Sequence, residues 1–267
     1  MAPRTRLDSE LVRRGLVRSR SDARTAIEQG RVAVQGMPAS RTSTLVSPEA
    51  AITVSEPDAR FVSRGGDKLC GALERMDVVV RDRKWLDVGA STGGFTDCLL
   101  TRGAAAVVAV DVGYGQLDWR LRNDARVVVM ERTNARSITA DDLPWSPDGI
   151  VADVSFISLT LLVDAFDAVS SPATDWVLMV KPQFEVGRGL VGKGGVVREP
   201  AHWLGAIERV VEAASARGMG LVSAAPSPLP GPAGNREFFL HLRAGGSADL
   251  APAAAAVAEA SRDDGAP

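Results

Sequence analysis

The chain has 267 residues, 45% of them hydrophobic and 24% charged, which is enough core for one large or two modest globular domains. No apolar run approaches the ~20 residues that span a bilayer, and the opening MAPRTRLDSE has no apolar signal-peptide stretch, so a cytoplasmic protein with no membrane partner is expected. Cys70 and Cys98 are too few and unpatterned for a disulfide framework or a zinc site, and read as small buried side chains. His202 and His241 stand isolated, so no metal is expected.

Net charge is −2, yet residues 1–41 carry nine arginines against Asp8, Glu10, Asp22 and Glu28, a surplus of five that leaves −7 for the remainder. This asymmetry points to a separate basic head suited to a polyanion. A solvated helical face is the alternative for each arginine taken singly. In chain order, LDSELVRRG reads as a short helix stopped by Gly15, and SRSDARTAIEQG as a second, with Ser19 or Ser21 as N-cap and Gly30 past its end. RVAVQG is a strand entering a turn at QGMPA, and ITVSE a later strand. Arg20 and Arg24 lie one turn apart on the second helix and Arg31 follows it, so the three can share a face.

SEPDAR, near residue 60, ends the head as a linker. Beyond it the pattern alternates: helix at 68–77, strand at 84–88, helix from 93, strands at 106–110, 126–130 and 149–153, helix from 158, strand at 176–181. Apolar strands spaced by amphipathic helices predict an α/β fold, a Rossmann-like doubly wound and mainly parallel sheet over 61–245, with ligands bound at the strands' C-terminal ends. The alanine-rich tail 246–267 lacks aromatic residues and is expected to be loosely ordered.

LDVGASTGGF, residues 86–95, reads as a strand running into a glycine turn that opens a helix, and Asp111 ends the next apolar run 22 residues after Gly89. That is where an acidic residue meets ribose hydroxyls. A dinucleotide fingerprint needs a second glycine for the pyrophosphate, and the frame here is Gly89-x-Ser91-x-x-Gly94. S-adenosylmethionine (SAM) has ribose and adenine but no phosphate, and fits that departure. Gly93 and Gly94 serving only tight helix packing is the bland alternative.

The chain uses 27 arginines but four lysines: Lys68, Lys84, Lys181 and Lys193. Lys181 ends WVLMVK, so an amine stands where a buried strand reaches the ligand crevice, and unlike arginine it can give up its proton. Lys84 precedes a strand and reads as solvated; Lys193, in GRGLVGKGG, fits either role. Asp153 ends the neighbouring strand, and Glu237 opens EFFLHL. Singly, such carboxylates are more often structural. Together, Lys68, Asp153, Lys181 and Glu237 make a constellation suited to activating a weakly acidic hydroxyl in line with a methyl sulfonium.

Residues 6–36 resemble an S4 domain, a small α+β RNA-binding module, through R-L-D, the S-R-x-x-A helix and the G-x-V-x-x-G hairpin. The resemblance places RNA contacts on Arg6, Arg14, Arg20, Arg24 and Arg31 of the head. Gln35 stands where asparagine is common, and a different tip conformation is expected there, since glutamine tolerates left-handed geometry less well. Residues 61–243 resemble the TlyA-type (haemolysin A) branch of the FtsJ-like ribose 2′-O-methyltransferases, by SRGGDKL, LDVGASTGGFTDCLL, VDVGYGQLDWRLR, ERTNAR, DVSFISL, VKPQFEVGR, GKGGVVR and GPAGNREF in that order. The resemblance implies a catalytic set at Lys68, Asp153, Lys181 and Glu237, and SAM contacts at Gly89, Ser91, Thr92, Gly93, Gly94, Phe95, Asp111 and Asn134. It further implies ribosomal RNA or ribosomal subunits as partner and methylation of cytidine ribose in 16S or 23S RNA or both; a monomer is expected. Lys181 is expected to assist deprotonation of the 2′-OH or, alternatively, to act only electrostatically while water takes the proton. Two rivals are a non-catalytic RNA-binding assembly factor and a membrane-lytic protein.

Overall fold

A computed structural model describes residues 4–17, 19–28, 30–55 and 60–263, so Arg18 and residues 56–59 of the expected linker lie outside the described residues. The chain divides into two units, Met1–Ala59 and Arg60–Pro267.

The first unit runs β1 (Thr5–Arg6), α1 (Leu7–Arg13), α2 (Arg20–Glu28), β2 (Val32–Val34), β3 (Met37–Pro38), β4 (Leu45–Val46) and β5 (Ile52–Val54). Both helices end on a glycine in left-handed backbone, Gly15 and Gly30, each at φ +69°, which lets the chain turn back with its last carbonyls bonded. Leu7, Leu11, Ala23, Ala26, Ile27 and Val32 form the small core. The hairpin corrects the expectation at Gln35: with Val34 paired to Met37, Gln35 and Gly36 form a two-residue turn, and Gln35 takes φ +51°. The right-handed twist of the strands selects that turn, and its geometry overrides the side-chain preference.

The second unit holds a seven-stranded sheet ordered β11-β12-β10-β9-β6-β7-β8. Its elements are α3 (Arg64–Arg75), β6 (Lys84–Val88), α4 (Gly94–Thr101), β7 (Ala106–Val110), α5 (Trp119–Arg122), β8 (Val127–Met130), β9 (Gly149–Ala152), α6 (Val163–Val169), β10 (Asp175–Val180), α7 (Pro182–Glu185), α8 (Pro200–Ser215), β11 (Met219–Pro226), β12 (Phe238–Ala244) and α9 (Ala251–Asp263). β8, β7, β6, β9 and β10 are parallel, and β12 runs antiparallel between β10 and β11. The strands are apolar on both faces because both are covered: Leu86, Val108 and Leu178 join one core with residues of α6, α8 and α9, while Trp85, Val107 and Val177 join another with α3 and α4. The chain order reverses direction between β6 and β9, which opens a crevice at their C-terminal ends.

Two sequence expectations change. Helix α3 starts at Arg64 rather than 68 and carries Gly65 and Gly66 inside it; a Cβ on Gly66 would lie 2.3 Å from the Phe61 ring. The tail is not loosely ordered through its described part: α9 buries Ala253, Ala256, Val257 and Ala260 against β11 and α8. Alanine is the strongest helix former, and small residues at helical spacing allow close packing without aromatic anchors. Cys70 and Cys98 are free and buried. His241 is structural: its Nε2 lies 2.8 Å from Asp175, which Arg243 and Arg83 also hold, each at 2.7 Å. Burial works to raise the Asp175 carboxyl, yet those partners hold it well below the usual carboxylate range.

Asp87, on β6, is fully buried; Thr96 Oγ1 donates to its Oδ2 at 2.6 Å, and its Oδ1 has no hydrogen-bond partner among the described residues. Burial pushes this carboxyl up to about 7, against the Thr96 hydrogen bond and with added repulsion from Asp153 and Asp111. The native state therefore binds more protons than the unfolded chain between roughly pH 4 and pH 7, and stability falls as pH rises through that window. Asp87→Asn cannot ionise and should lose less stability from pH 4 to pH 8 than the wild type, by on the order of 3 kcal/mol. Thermal unfolding across pH measures this, and parallel curves for the two proteins would show an ionised Asp87.

Candidate active site

The glycine turn is built by close approach. Gly89, at φ +83°, donates its N–H to the Val110 carbonyl at 2.9 Å, and a Cβ placed on it would meet the Asp153 carbonyl oxygen at 2.4 Å. Only glycine fits both constraints. Gly93, at φ +98°, lies under Leu117 and Leu121, and a Cβ on Gly94 would sit 2.2 Å from Ser63 Oγ and 2.9 Å from the Gly66 nitrogen. The Gly94 contacts fasten α4 to α3. Ser91 takes left-handed backbone at φ +48° and donates its N–H to Asp111 Oδ2 at 2.8 Å, while Gly113 N–H donates to Asp111 Oδ1 at 2.7 Å. Asp111 thus stitches the turn together and keeps spare lone pairs.

Two adjoining cavities share Gly89, Ser91 and Asp153 as walls. The first, about 390 Å³, is lined by Asp111 and Asn134 with Val110, Val112, Ala135 and Ile157. The second, about 480 Å³, is lined by Lys68, Thr92, Gly94 and Phe95. Gly93 borders neither and supports the turn from below. Asn134 also caps a short 3-10 turn, its Oδ1 accepting from Arg136 N–H at 3.1 Å.

The expected tetrad assembles as two ion pairs. Lys68 Nζ lies 2.5 Å from Glu237 Oε2, and both groups are buried. Lys181 Nζ lies 2.5 Å from Asp153 Oδ1, a close ion contact rather than an aligned hydrogen bond, and donates to Ser155 Oγ at 2.8 Å. Lys68 and Asp153 line one cavity, so each pair has one member at its wall, while Lys181 and Glu237 stand one ion contact away from it.

Several residues at the site carry little signal in the sequence. Glu185 is buried on α7 and accepts from Ser158 Oγ at 2.5 Å and Leu159 N–H at 2.8 Å, tying the segment after Lys181 to the loop after Asp153; burial raises its pKa against those hydrogen bonds. Phe156, 92% exposed and at φ +66°, lines the first cavity, with its ring 5.2 Å from that of Phe184. An exposed aromatic in left-handed backbone is a rare conformation, and such strain concentrates at functional segments. In the sequence both lie inside motifs of the family resemblance, DVSFISL and VKPQFEVGR, with no chemistry of their own to single them out.

In the first unit, Arg6 and Arg20 both bind Asp8, at 2.9 and 3.0 Å, Arg24 pairs with Glu28 at 2.7 Å, and Arg31 donates to the Ser55 carbonyl at 3.2 Å. Arg14 differs from the other four: it binds Glu10 and the carbonyls of Ser47, Pro48 and Ala50, which gives it a structural task.

The strand order, glycine turn and acidic residue at the second strand's end define an α/β domain of the nucleoside-cofactor-binding class. Residues 61–244 match the FtsJ-like methyltransferase family and residues 5–52 the S4 domain. The 16S/23S rRNA (cytidine-2'-O)-methyltransferase TlyA of Mycobacterium tuberculosis is 52% identical over 244 residues, 91% of each chain. Hemolysin A of Brachyspira hyodysenteriae is 38% identical over 89% of this chain and 99% of its own. A solved structure of a candidate hemolysin from Streptococcus thermophilus superposes with a TM-score of 0.76 at 35% identity, covering 99% of this chain and 98% of the other. The chain belongs to the FtsJ-like methyltransferase family and carries an S4 domain ahead of its methyltransferase domain.

Gly89→Ala should destabilise the protein by about 2 kcal/mol or more, since it adds both a left-handed alanine and a clash with the Asp153 carbonyl. Chemical denaturation measures the change; a variant as stable as the wild type would mean that β6 and β9 have room to part.

Proposed function

We propose that this protein transfers a methyl group from SAM to the ribose 2′-OH of a cytidine in ribosomal RNA, using Lys68, Asp153, Lys181 and Glu237. The observation that carries this reading is that the Lys68–Glu237 and Lys181–Asp153 pairs each put one member, Lys68 and Asp153, on the wall of the cavity that adjoins the one lined by Asp111. The relative from M. tuberculosis, named for that reaction, supports it.

The residues present fit an adenosyl group without phosphates. Asp111 offers acceptors to ribose hydroxyls, Asn134 on the same cavity wall is available to the adenine, and Val110, Val112, Ala135 and Ile157 supply apolar wall. The Ser91 N–H, which a pyrophosphate would require, is already bonded to Asp111. Gly89, Thr92, Gly94 and Phe95 shape the turn around the cofactor's remaining part, with Gly93 as its support. When bound, SAM supplies an electrophilic methyl on a sulfonium.

Lys181 stands at the C-terminal end of β10, held between Asp153 and Ser155; once it has given up a proton its neutral amine takes the one from the 2′-OH, and as the ammonium it instead stabilises the developing alkoxide while water takes that proton. Lys68, fixed by Glu237, adds positive charge to stabilise the developing alkoxide. The exposed Phe156 ring at the cavity rim is suited to stacking on an unpaired base of the substrate. The S4 domain holds RNA through Arg6, Arg20, Arg24 and Arg31. The relatives named hemolysin raise a lytic reading, but no helix among the described residues is long and apolar enough to cross a membrane.

Nucleoside mass spectrometry of 16S and 23S RNA from cells with and without this protein tests the whole reading: a 2′-O-methylcytidine that appears only with the protein is expected, and identical RNA from both overturns it. Asp111→Ala should weaken SAM binding by roughly tenfold or more in calorimetric titration, at about 1.4 kcal/mol per decade, while RNA affinity stays. Unchanged SAM affinity in the folded variant would misplace the cofactor. Lys181→Arg keeps the charge but removes proton transfer at neutral pH. Single-turnover methylation should fall by roughly a hundredfold or more with SAM and RNA still bound, and a near-wild-type rate would leave Lys181 an electrostatic role.

A further inference from the structure

Several arginines of the methyltransferase domain are ion-paired in place, as Arg83 and Arg243 are on Asp175, Arg126 on Asp124 and Arg217 on Asp164. Lys193 and Arg198 are not, and they share one turn: among the described residues neither meets a carboxylate within ion-pair distance, and both are exposed. They sit at the tip and root of one tight turn. Gly192 N–H donates to the Val196 carbonyl at 3.0 Å, Gly195 N–H donates to the Gly192 carbonyl at 3.1 Å, and Gly194 and Gly195 take φ +78° and +77°. A Cβ on Gly192 would lie 3.6 Å from Arg198 Nη1, so the guanidinium folds back against the base of the turn that carries Lys193.

This turn is bolted at its root. Asn235, 3% exposed, accepts from Val197 N–H through Oδ1 and donates from Nδ2 to the Gly195 carbonyl, each at 2.9 Å. Val197 is buried, and its carbonyl accepts from Trp203 Nε1 at 2.9 Å. The bolt lies two residues before Glu237, the partner of Lys68, so the position of the turn is referred directly to the tetrad. A glycine-rich turn lets a phosphate come close, unpaired cations hold it, and a fixed root lowers the entropy cost of holding it.

We infer that the Gly192–Arg198 turn is a phosphate clamp for the backbone of the RNA substrate beside the target nucleotide, with Lys193 and Arg198 as contacts and Asn235 as positioning residue. This rests on the RNA methyl-transfer reading above.

The test uses the full chain, a transcript of ribosomal RNA, and the double variant Lys193→Ala with Arg198→Ala. KM for RNA should rise by roughly tenfold, and the slope of log affinity against log salt should fall by about 0.7 to 0.9 for each phosphate that the variant no longer neutralises. SAM affinity should stay, and kcat at saturating RNA should hold within about twofold, since neither side chain belongs to the tetrad. Asn235→Ala should raise KM similarly, with little added effect on top of the double variant, because it acts through the same contacts. Wild-type KM and salt slope in the double variant overturn the clamp, and an additive Asn235 effect overturns its positioning role. Failure of the wild type to methylate any ribosomal RNA overturns the substrate reading instead, while the salt slope of RNA binding still decides whether the turn holds phosphate.

Discussion

Gly89 against the Asp153 carbonyl is the contact on which the site depends. The crevice exists because β6 and β9 send their following segments to different sides of the sheet, but a crevice alone would leave the cofactor turn and the catalytic strand end separate. The missing side chain at Gly89 lets the two tips close to contact, so that Asp153 borders both cavities. Gly94 performs the same service for the helices. Without a Cβ there, α3 lies against the start of α4, which brings Lys68 to the second cavity from the far side of the turn. Positioning errors of an ångström cost large factors in rate, so these two glycines do more for the chemistry than their composition implies.

The charge balance of the site follows a related logic. A buried ion pair contributes little to stability relative to well-packed apolar groups, whereas breaking one is costly. Lys68 with Glu237 and Lys181 with Asp153 are therefore poor choices for a core and good ones for a site. In the proposed reaction they also solve an electrostatic conflict. Two bare ammonium groups would repel a sulfonium cofactor at low dielectric. Matched one to one with carboxylates, they leave the space neutral overall while still offering positive charge at the point where an alkoxide forms.

Much of this is legible in the sequence because it depends on local pattern. Strands β6, β7, β9 and β10 show as apolar runs, and Gly89, Asp111 and Asp153 fall at their ends, where the sheet's geometry needs them. Helix α8 also carries a signal, apolar residues at helical spacing from Trp203 to Ala214 behind a proline at its first position, although it is absent from the predicted elements. What sequence cannot supply are partners set by tertiary contact. Nothing local pairs Glu185 with Ser158, or Asn235 with Val197, 38 positions apart. The tail misleads for another reason. Its composition resembles disorder, and only the flat surface offered by β11 and α8 makes a stripe of alanines worth burying. At Gln35 the residue's own preference is real but is overruled by the turn that its strands impose.

The basic head shows why a charge count overstates a binding surface and understates its order. Asp8 is 8% exposed in its side chain and holds both Arg6 and Arg20, whose side chains are 46% and 63% exposed. Glu10, nearly buried, likewise holds Arg13 and Arg14. Each carboxylate cancels one charge of two, so each cluster presents a net single positive charge. The guanidiniums at Asp8 are also fixed by hydrogen bonds, with much of their donor edge in solvent. A flexible arginine must lose side-chain entropy when it meets a phosphate, and one already held in place loses less. In the proposed RNA role the acids of the head are thus parts of the binding surface: they give up charge in order to orient the arginines that remain.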